Sequence, residues 1–354
     1  MVFNGKIVMK VAIRVDSSLL MGTGHLMRCL TLAKQIKSQI QAHIVFISRD
    51  LEKNLNYLVE KQGFTLYVLP KKTSHKQLTG YEQWLTVKQQ EDAKEVKDFL
   101  QKQQVDLLII DSYAIDYKWE NIVRPLVKKI MVIDDLANRK HDCDVLLDQN
   151  YYADMKLRYQ SLVPKYCNQL LGPEYALLRE EFYIAKKTLR KRSGIIKNIL
   201  VFFGGSDPSN ETGKTLEALI QLKTTDIAIN VVVGASNPHK DSLKLICDIN
   251  NFNYLCQVSN MAQLMAEADL AIGAGGTTTW ERCFLELPSI VVAIAKNQVR
   301  LCEEAAKAGV ITFLGVKECV TAKIIANELA KLQNKLLEKP KTLNNKKIPI
   351  KNFL

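Results

Sequence analysis

The stretch LVFFGGSDPSNET, residues 200–212, joins four apolar residues to two glycines and a serine, then to a polar segment suited to open a helix near Asn210. A short buried strand that ends on small residues and feeds a helix is the repeating unit of parallel α/β sheets. The same unit recurs outward in both directions. Downstream, Val- and Ile-rich runs predict strands at 228–233, 253–257, 270–272, 289–293 and 311–313, separated by helices at 211–221, 238–250, 261–268, 278–287, 299–308 and 322–337. Upstream, strands are predicted at 11–15, 43–48, 65–69, 106–111, 130–134 and 144–147, with helices between most of them. Residues 151–174 break the rhythm with tyrosines, two prolines and no period, and a helix at 177–189 follows.

This alternation predicts an α/β protein of two doubly wound, Rossmann-like domains. The length of 354 residues suits two cores of ordinary domain size. The domains are expected at 1–160 and 161–338, with a basic tail at 339–354. In such sheets ligands bind beyond the carboxyl ends of the strands, and two domains facing each other would place a site in the cleft between them. With 47% hydrophobic and 24% charged residues, the composition excludes disordered, collagen-like and coiled-coil chains. The longest aliphatic run, 290–295, falls far short of a bilayer span, and the N-terminus lacks the apolar core of a secretory signal. A cytoplasmic protein without an integral membrane segment is expected. Eight cysteines include no CxxC pair, so they read as free thiols, and no metal or other cofactor is expected.

The net charge of +12 is concentrated in two places, Lys186, Lys187, Arg190, Lys191, Arg192 and Lys197, and Lys339, Lys341, Lys346, Lys347 and Lys351. Neither stretch interleaves aromatics with its cations, which argues against nucleic acid. A solvated connector and a solvated tail are the plain reading; a weak contact with a membrane surface or a pathway enzyme through them is the other.

Three strand-end loops carry the chemistry. The first, DSSLLMGTGH at 16–25, leads into a helix; Gly22 and Gly24 allow close backbone approach, and a helix start offers free N–H groups to an anion. It is not the GxGxxG dinucleotide fingerprint, since Met27 stands where the last glycine belongs. His25 falls in the first turn, where the positive end of the helix dipole favours a neutral ring able to act as a general base; a capping or core histidine is the alternative. The second loop, with Gly205 and Ser206, has the shape of a phosphate cradle but not the Gly-Lys-Ser/Thr ending of a P-loop; a plain strand-to-helix turn is the alternative. The third, GAGGTTT at 273–279, offers Gly276 and Thr277 to a diphosphate, and Glu281, expected in the first turn of the next helix, suits ribose hydroxyls. Asn297 and Gln298 lie in a further polar loop. A nucleotide diphosphate is the ligand class these loops fit. Asp142 and Asp144 spell a DxD, but ahead of a strand rather than behind one, whereas Asp111-Ser112-Tyr113 ends a strand.

Taken in order, RVDSS (14–18), GTGH (22–25), DSY (111–113), YALLREEF (175–182), FFGGSDPSN (202–210), GAGGTTTWE (273–281) and AKNQ (295–298) resemble the nucleotide-sugar hydrolases of the pseudaminic acid pathway, which act on UDP-2,4-diacetamido-2,4,6-trideoxy-β-L-altropyranose. The likeness covers about 11–314 and leaves out 71–81 and the tail after 337. It implies a glycosyltransferase-B-type fold and metal-independent release of UDP, with water attacking the anomeric carbon and inverting it. It places His25 at the catalytic histidine, with Tyr113 expected as a second catalytic residue near the cleft, Gly205, Ser206, Gly276 and Thr277 on the diphosphate, Glu281 on the ribose, Asn297 and Gln298 near phosphates and sugar, and Arg179 near the cleft. Two other readings fit the same loops: an inverting UDP-sugar glycosyltransferase and a non-catalytic nucleotide-sugar-binding protein.

Overall fold

The structure, a computed structural model, describes residues 2–3, 6–18, 20–72, 78–223, 226–333, 337–341 and 344–353, so 73–77 of the loop expected at 71–81 lie outside the described residues. The chain forms two compact units, the first of residues 1–150, 154–177 and 346–354, the second of 151–153 and 178–345.

The first unit opens with a two-residue hairpin, β1 (Val2–Phe3) and β2 (Lys6–Ile7). It continues through β3 (Met9–Val15), α1 (Gly24–Gln39), β4 (Ala42–Arg49), α2 (Tyr57–Lys61), β5 (Thr65–Leu69), α3 (Gln89–Leu100), β6 (Val105–Asp111), α4 (Tyr117–Val123), β7 (Val127–Ile133), β8 (Val145–Asp148) and β9 (Asn168–Leu171). Seven parallel strands lie in the order β5-β4-β3-β6-β7-β8-β9. Successive residues serve opposite faces: Val11, Ile13, Leu107 and Ile109 join the core around α1, while Ala12, Leu108 and Ile110 join that around Val96 and Trp119. Burial on both faces is why these strands read as continuous apolar runs. The chain reverses its direction of sheet growth between β3 and β6, so the loops after these two strands flank the switch point where doubly wound sheets bind ligands.

The second unit runs α5 (Glu180–Lys187), β10 (Asn198–Phe202), α6 (Glu211–Gln221), β11 (Ala228–Val233), α7 (Lys240–Ile249), β12 (Asn253–Cys256), α8 (Met261–Glu267), β13 (Leu270–Ala274), α9 (Thr277–Phe284), β14 (Ser289–Ala293), α10 (Lys296–Lys307), β15 (Thr312–Val316) and α11 (Ala322–Gln333). Its six strands are ordered β12-β11-β10-β13-β14-β15, all parallel, with the switch point between β10 and β13.

Three expectations change. Residues 161–177 fall in the first unit, because β9, missed in the aperiodic segment, pairs with β8 through Val145, Leu146, Leu147 and Asp148. The end of the tail is not merely solvated: Ile348, Ile350 and Phe353 are buried in the first unit's core, and Gln39 Nε2 donates to the Ile348 carbonyl at 2.9 Å. Its lysines hid an apolar alternation. The basic connector is also occupied. Arg192 donates to the carbonyls of Met265, Ala268, Leu285 and Glu286 at 2.7–3.0 Å, satisfying the C-terminal ends of α8 and α9, and Arg190 pairs with Asp269 at 2.6 Å. Lys186 and Lys339 share Glu286, at 2.6 and 2.7 Å. These four cations are thus engaged within the chain.

Candidate active site

At the first unit's switch point, α1 begins one residue before His25, with no side-chain cap and no acid in its first turn. Opposite it, β6 ends on Asp111. His25 Nδ1 lies 2.6 Å from Asp111 Oδ1, across 86 residues of chain. An ionised carboxylate only accepts, so Nδ1 carries a proton on this 2.6 Å contact, with Arg28 Nη2 further off at 3.2 Å, and in the neutral ring Nε2 is then the acceptor. Arg28, one turn further along α1, clamps both oxygens of Asp111: Nε donates to Oδ2 and Nη2 to Oδ1, the oxygen shared with His25, both at 2.6 Å. Burial would raise the Asp111 carboxyl, but the Arg28 guanidinium and the hydrogen bonds donated by Arg28 and His25 outweigh it and hold the group well below the usual carboxylate range. Arg28 Nη1 also reaches Asp135 at 2.8 Å, and the Tyr113 hydroxyl donates to the same carboxylate at 2.7 Å.

Tyr113 therefore meets His25 as a ring rather than as a proton donor. Its ring stands edge-on to the imidazole at 4.7 Å, and burial and Asp135 push its hydroxyl well above the ordinary tyrosine value. Trp84 and Tyr81, from a 3₁₀ turn at Gly80–Leu85, pack on Tyr113, and Trp84 also contacts His25. Gly22 adopts φ +75° in the loop before α1, where it bridges Ser18, and Gly24 is the first helical residue. The sequence marks Asp111 as a strand end but assigns it no partner; Arg28, Asp135 and Trp84 carry no signal.

Carboxylates continue along the strand ends. Asp148, ending β8, is pushed up to about 8 by burial and by Asp135, against Arg158. The folded state then keeps a proton that the unfolded chain releases near pH 4, so stability falls as pH rises from about 4 to about 8. Asp148→Asn should remove a slope of up to about 1.4 kcal/mol per pH unit. The gain in Tm over wild type should be larger at pH 7.5 than at pH 5.5; an equal gain at both would contradict the assignment.

In the second unit, β10, β13 and β14 are neighbours, and the segments after them carry Gly205 and Ser206, Gly276 and Thr277, and Asn297 and Gln298. Gly205 and Ser206 follow β10, and a Cβ on Gly234, at the end of β11, would fall 2.1 Å from the Gly205 carbonyl oxygen, so only glycine lets the two loops pack. Gly276 holds φ +112° as the residue before α9, a conformation that penalises side chains. Thr277 opens that helix, which has neither a side-chain cap nor an acid in its first turn. The same is true of α10, which starts at Lys296. Asn297 and Gln298 are thus in a first helical turn, not a loop. Gln298 Oε1 accepts from the Ile294 N–H at 3.0 Å, leaving the early N–H groups of the helix unclaimed by its side chain. Two such helix starts on adjacent strands suit a diphosphate.

By contrast, α6 is closed to an anion. Asp207 accepts from the N–H groups of Glu211 and Thr212, both at 2.9 Å, and Asn210 from that of Gly213 at 3.2 Å. The cradle read at 200–212 therefore reduces to Gly205 and Ser206. Asp207→Ala should cost about 1–2 kcal/mol and lower Tm by about 2–4 °C per kcal/mol, measured by calorimetry. An unchanged Tm would show that the cap contributes nothing.

Glu281 lies in the second turn of α9, beyond the first turn expected. Burial raises its carboxyl, and Arg179 opposes this from 3.2 Å, so these two predicted residues form one pair. The DxD carboxylates both serve Arg124: Asp142 at 3.0 Å and Asp144 at 2.6 Å. Among the described residues no group of three metal-ligating side chains occurs.

Two parallel α/β domains with these strand orders have the glycosyltransferase-B fold. Residues 199–353 match the Glycosyltransferase family 28 C-terminal domain. The crystal structure of MurG from Acinetobacter baumannii superposes with a TM-score of 0.60 at 15% identity, covering 92% of this chain and 91% of that one. The particular resemblance read from the motifs holds as well: the chain is 29% identical, over 85% of its length and 97% of the relative's, to the UDP-2,4-diacetamido-2,4,6-trideoxy-beta-L-altropyranose hydrolase of Campylobacter jejuni. It is 30% identical over 82% of its length to an uncharacterized protein of Methanocaldococcus jannaschii, of which it spans only 57%. No described helix is long and apolar enough to cross a membrane.

Proposed function

We propose that the protein hydrolyses UDP-2,4-diacetamido-2,4,6-trideoxy-β-L-altropyranose, or a close relative of it, to UDP and the free diacetamido sugar. The observation that carries the reading is the His25–Asp111 pair: a ring with its Nδ1 proton fixed by a buried carboxylate has Nε2 available to deprotonate water. Water attacks the anomeric carbon as the bond from that carbon to the β-phosphate oxygen breaks, with inversion. Nε2 takes the water's proton. Charge appearing on the leaving diphosphate is met by N–H groups at Gly205, Ser206, Gly276 and Thr277 and at the start of α10, with no metal required. Glu281, paired to Arg179, receives the ribose hydroxyls. The name of the C. jejuni relative supports the substrate class.

The glycosyltransferase-B fold favours one competing reading, an inverting transferase in which His25 activates an acceptor hydroxyl. Incubation with the UDP-sugar in ¹⁸O-labelled water, without any acceptor, separates them. UDP release with label in the free sugar is expected. No release without an acceptor would favour the transferase, and label in UDP would mean attack at phosphorus and end the proposed mechanism.

A further inference from the structure

Beneath the Gly273–Thr279 loop lies a cation that the reading above does not use. Arg282, in α9, is 2% exposed. Its Nη2 donates to the Ala274 carbonyl, at the end of β13, at 2.8 Å and to Thr279 Oγ1, in the first turn of α9, at 3.2 Å. Its Nη1 lies so close to Gly273 that a Cβ there would approach it to 2.9 Å. Its Nε is buried without a hydrogen-bond partner. Among the described residues no carboxylate lies within ion-pair distance of it, and the adjacent Glu281 gives its carboxylate to Arg179. The thiols of Cys283 and Cys302 are its other ionisable neighbours.

A buried charge without a counter-ion is costly, and an arginine kept under those terms needs a compensating anion. Burial does draw its basicity down, to about 10. Other buried arginines here are matched, Arg14 by Asp16 and Asp92 and Arg28 by Asp111 and Asp135. The loop above Arg282 ends at the uncapped start of α9, so the orphaned guanidinium and the free N–H groups converge on the same few residues.

We propose that Arg282 is a positioning residue for a nucleotide diphosphate: its buried guanidinium, lacking a protein carboxylate, supplies a fixed positive charge under the 273–279 loop that the ligand's pyrophosphate completes. This rests on the nucleotide reading of the second unit. Because the charge is already in place and screened from solvent, it acts on the diphosphate and not on the uncharged nucleoside.

The full-length protein should be titrated with UDP and, separately, with uridine by calorimetry or ligand-observed NMR. Arg282→Gln and Arg282→Met should weaken UDP by about tenfold or more while leaving uridine within about twofold. Arg282→Lys, which keeps the charge but breaks the fork to Ala274 and Thr279, should keep the UDP-to-uridine affinity ratio within about threefold. Equal losses for UDP and uridine would mean that Arg282 only ties the loop, overturning the assignment, as would unchanged UDP affinity in the neutral variants. If the neutral variants fail to fold, the lysine variant decides alone: a collapsed ratio overturns the proposal. Wild-type protein that does not bind UDP would instead remove the nucleotide reading and this assignment together.

Discussion

Replacing His25 by alanine lowers turnover of the UDP-sugar by roughly 10²- to 10⁴-fold, the contribution of a positioned general base, equivalent to about 2.7–5.4 kcal/mol of barrier. UDP affinity stays near wild type, because the loops assigned to the nucleotide belong to the other unit of the fold. Stability also changes little. Asp111 keeps both hydrogen bonds from Arg28 when the imidazole goes, so no buried carboxylate is orphaned. Tm, UDP affinity by calorimetry and single-turnover rate measured on one preparation test all three statements. Turnover within about threefold of wild type would remove His25 from the chemistry.

Much of this could be read from the chain, and what could not has physical causes. Strands buried on both faces announce themselves as apolar runs, so 228–233 and 289–293 coincide with β11 and β14 to the residue, and 65–69 coincides with β5, an edge strand whose run is apolar although mostly exposed. β9 was hidden because an edge strand of sequence NQLL, half exposed and preceded by a proline-bearing turn, has neither a long run nor alternation. The start of α10 was misplaced because Ala295 provides no capping side chain to mark it. Within the site, His25 was legible from its glycine loop. Its dependence on Asp111, Arg28 and Asp135 was not, since pairing across the β3–β6 switch point is a property of topology rather than of spacing. Arg190 and Arg192 looked solvated for the same reason: their partners are backbone carbonyls and Asp269, more than 70 residues away.

Asp111→Asn should be as damaging to turnover as the loss of His25, by a different route. Arg28 Nε and Nη2 both require acceptors on residue 111. An asparagine has one oxygen; seated at the Oδ2 position it accepts from Arg28 Nε, and the NH₂ then replaces the Oδ1 that Arg28 Nη2 and His25 Nδ1 share. The amide NH₂ then faces His25 Nδ1, which must become the acceptor, so the ring proton moves to Nε2 and the base is lost. A fall of roughly 10²- to 10⁴-fold in turnover is expected, with UDP affinity retained. Unlike His25→Ala, this variant also loses stability, by about 3 kcal/mol, the low end for breaking a buried pair because Asp135 still faces Arg28. The pH dependence separates the two effects. The folded Asp111 carboxyl is depressed, so its stabilising contribution is present above the unfolded value near pH 4 and is lost as pH falls below it. Wild type should therefore lose stability more steeply than the asparagine variant below about pH 4, followed by Tm or denaturant midpoint. Parallel acid-unfolding curves, or an Asp111→Asn enzyme that turns over normally, would show that the carboxylate does not set the state of the imidazole.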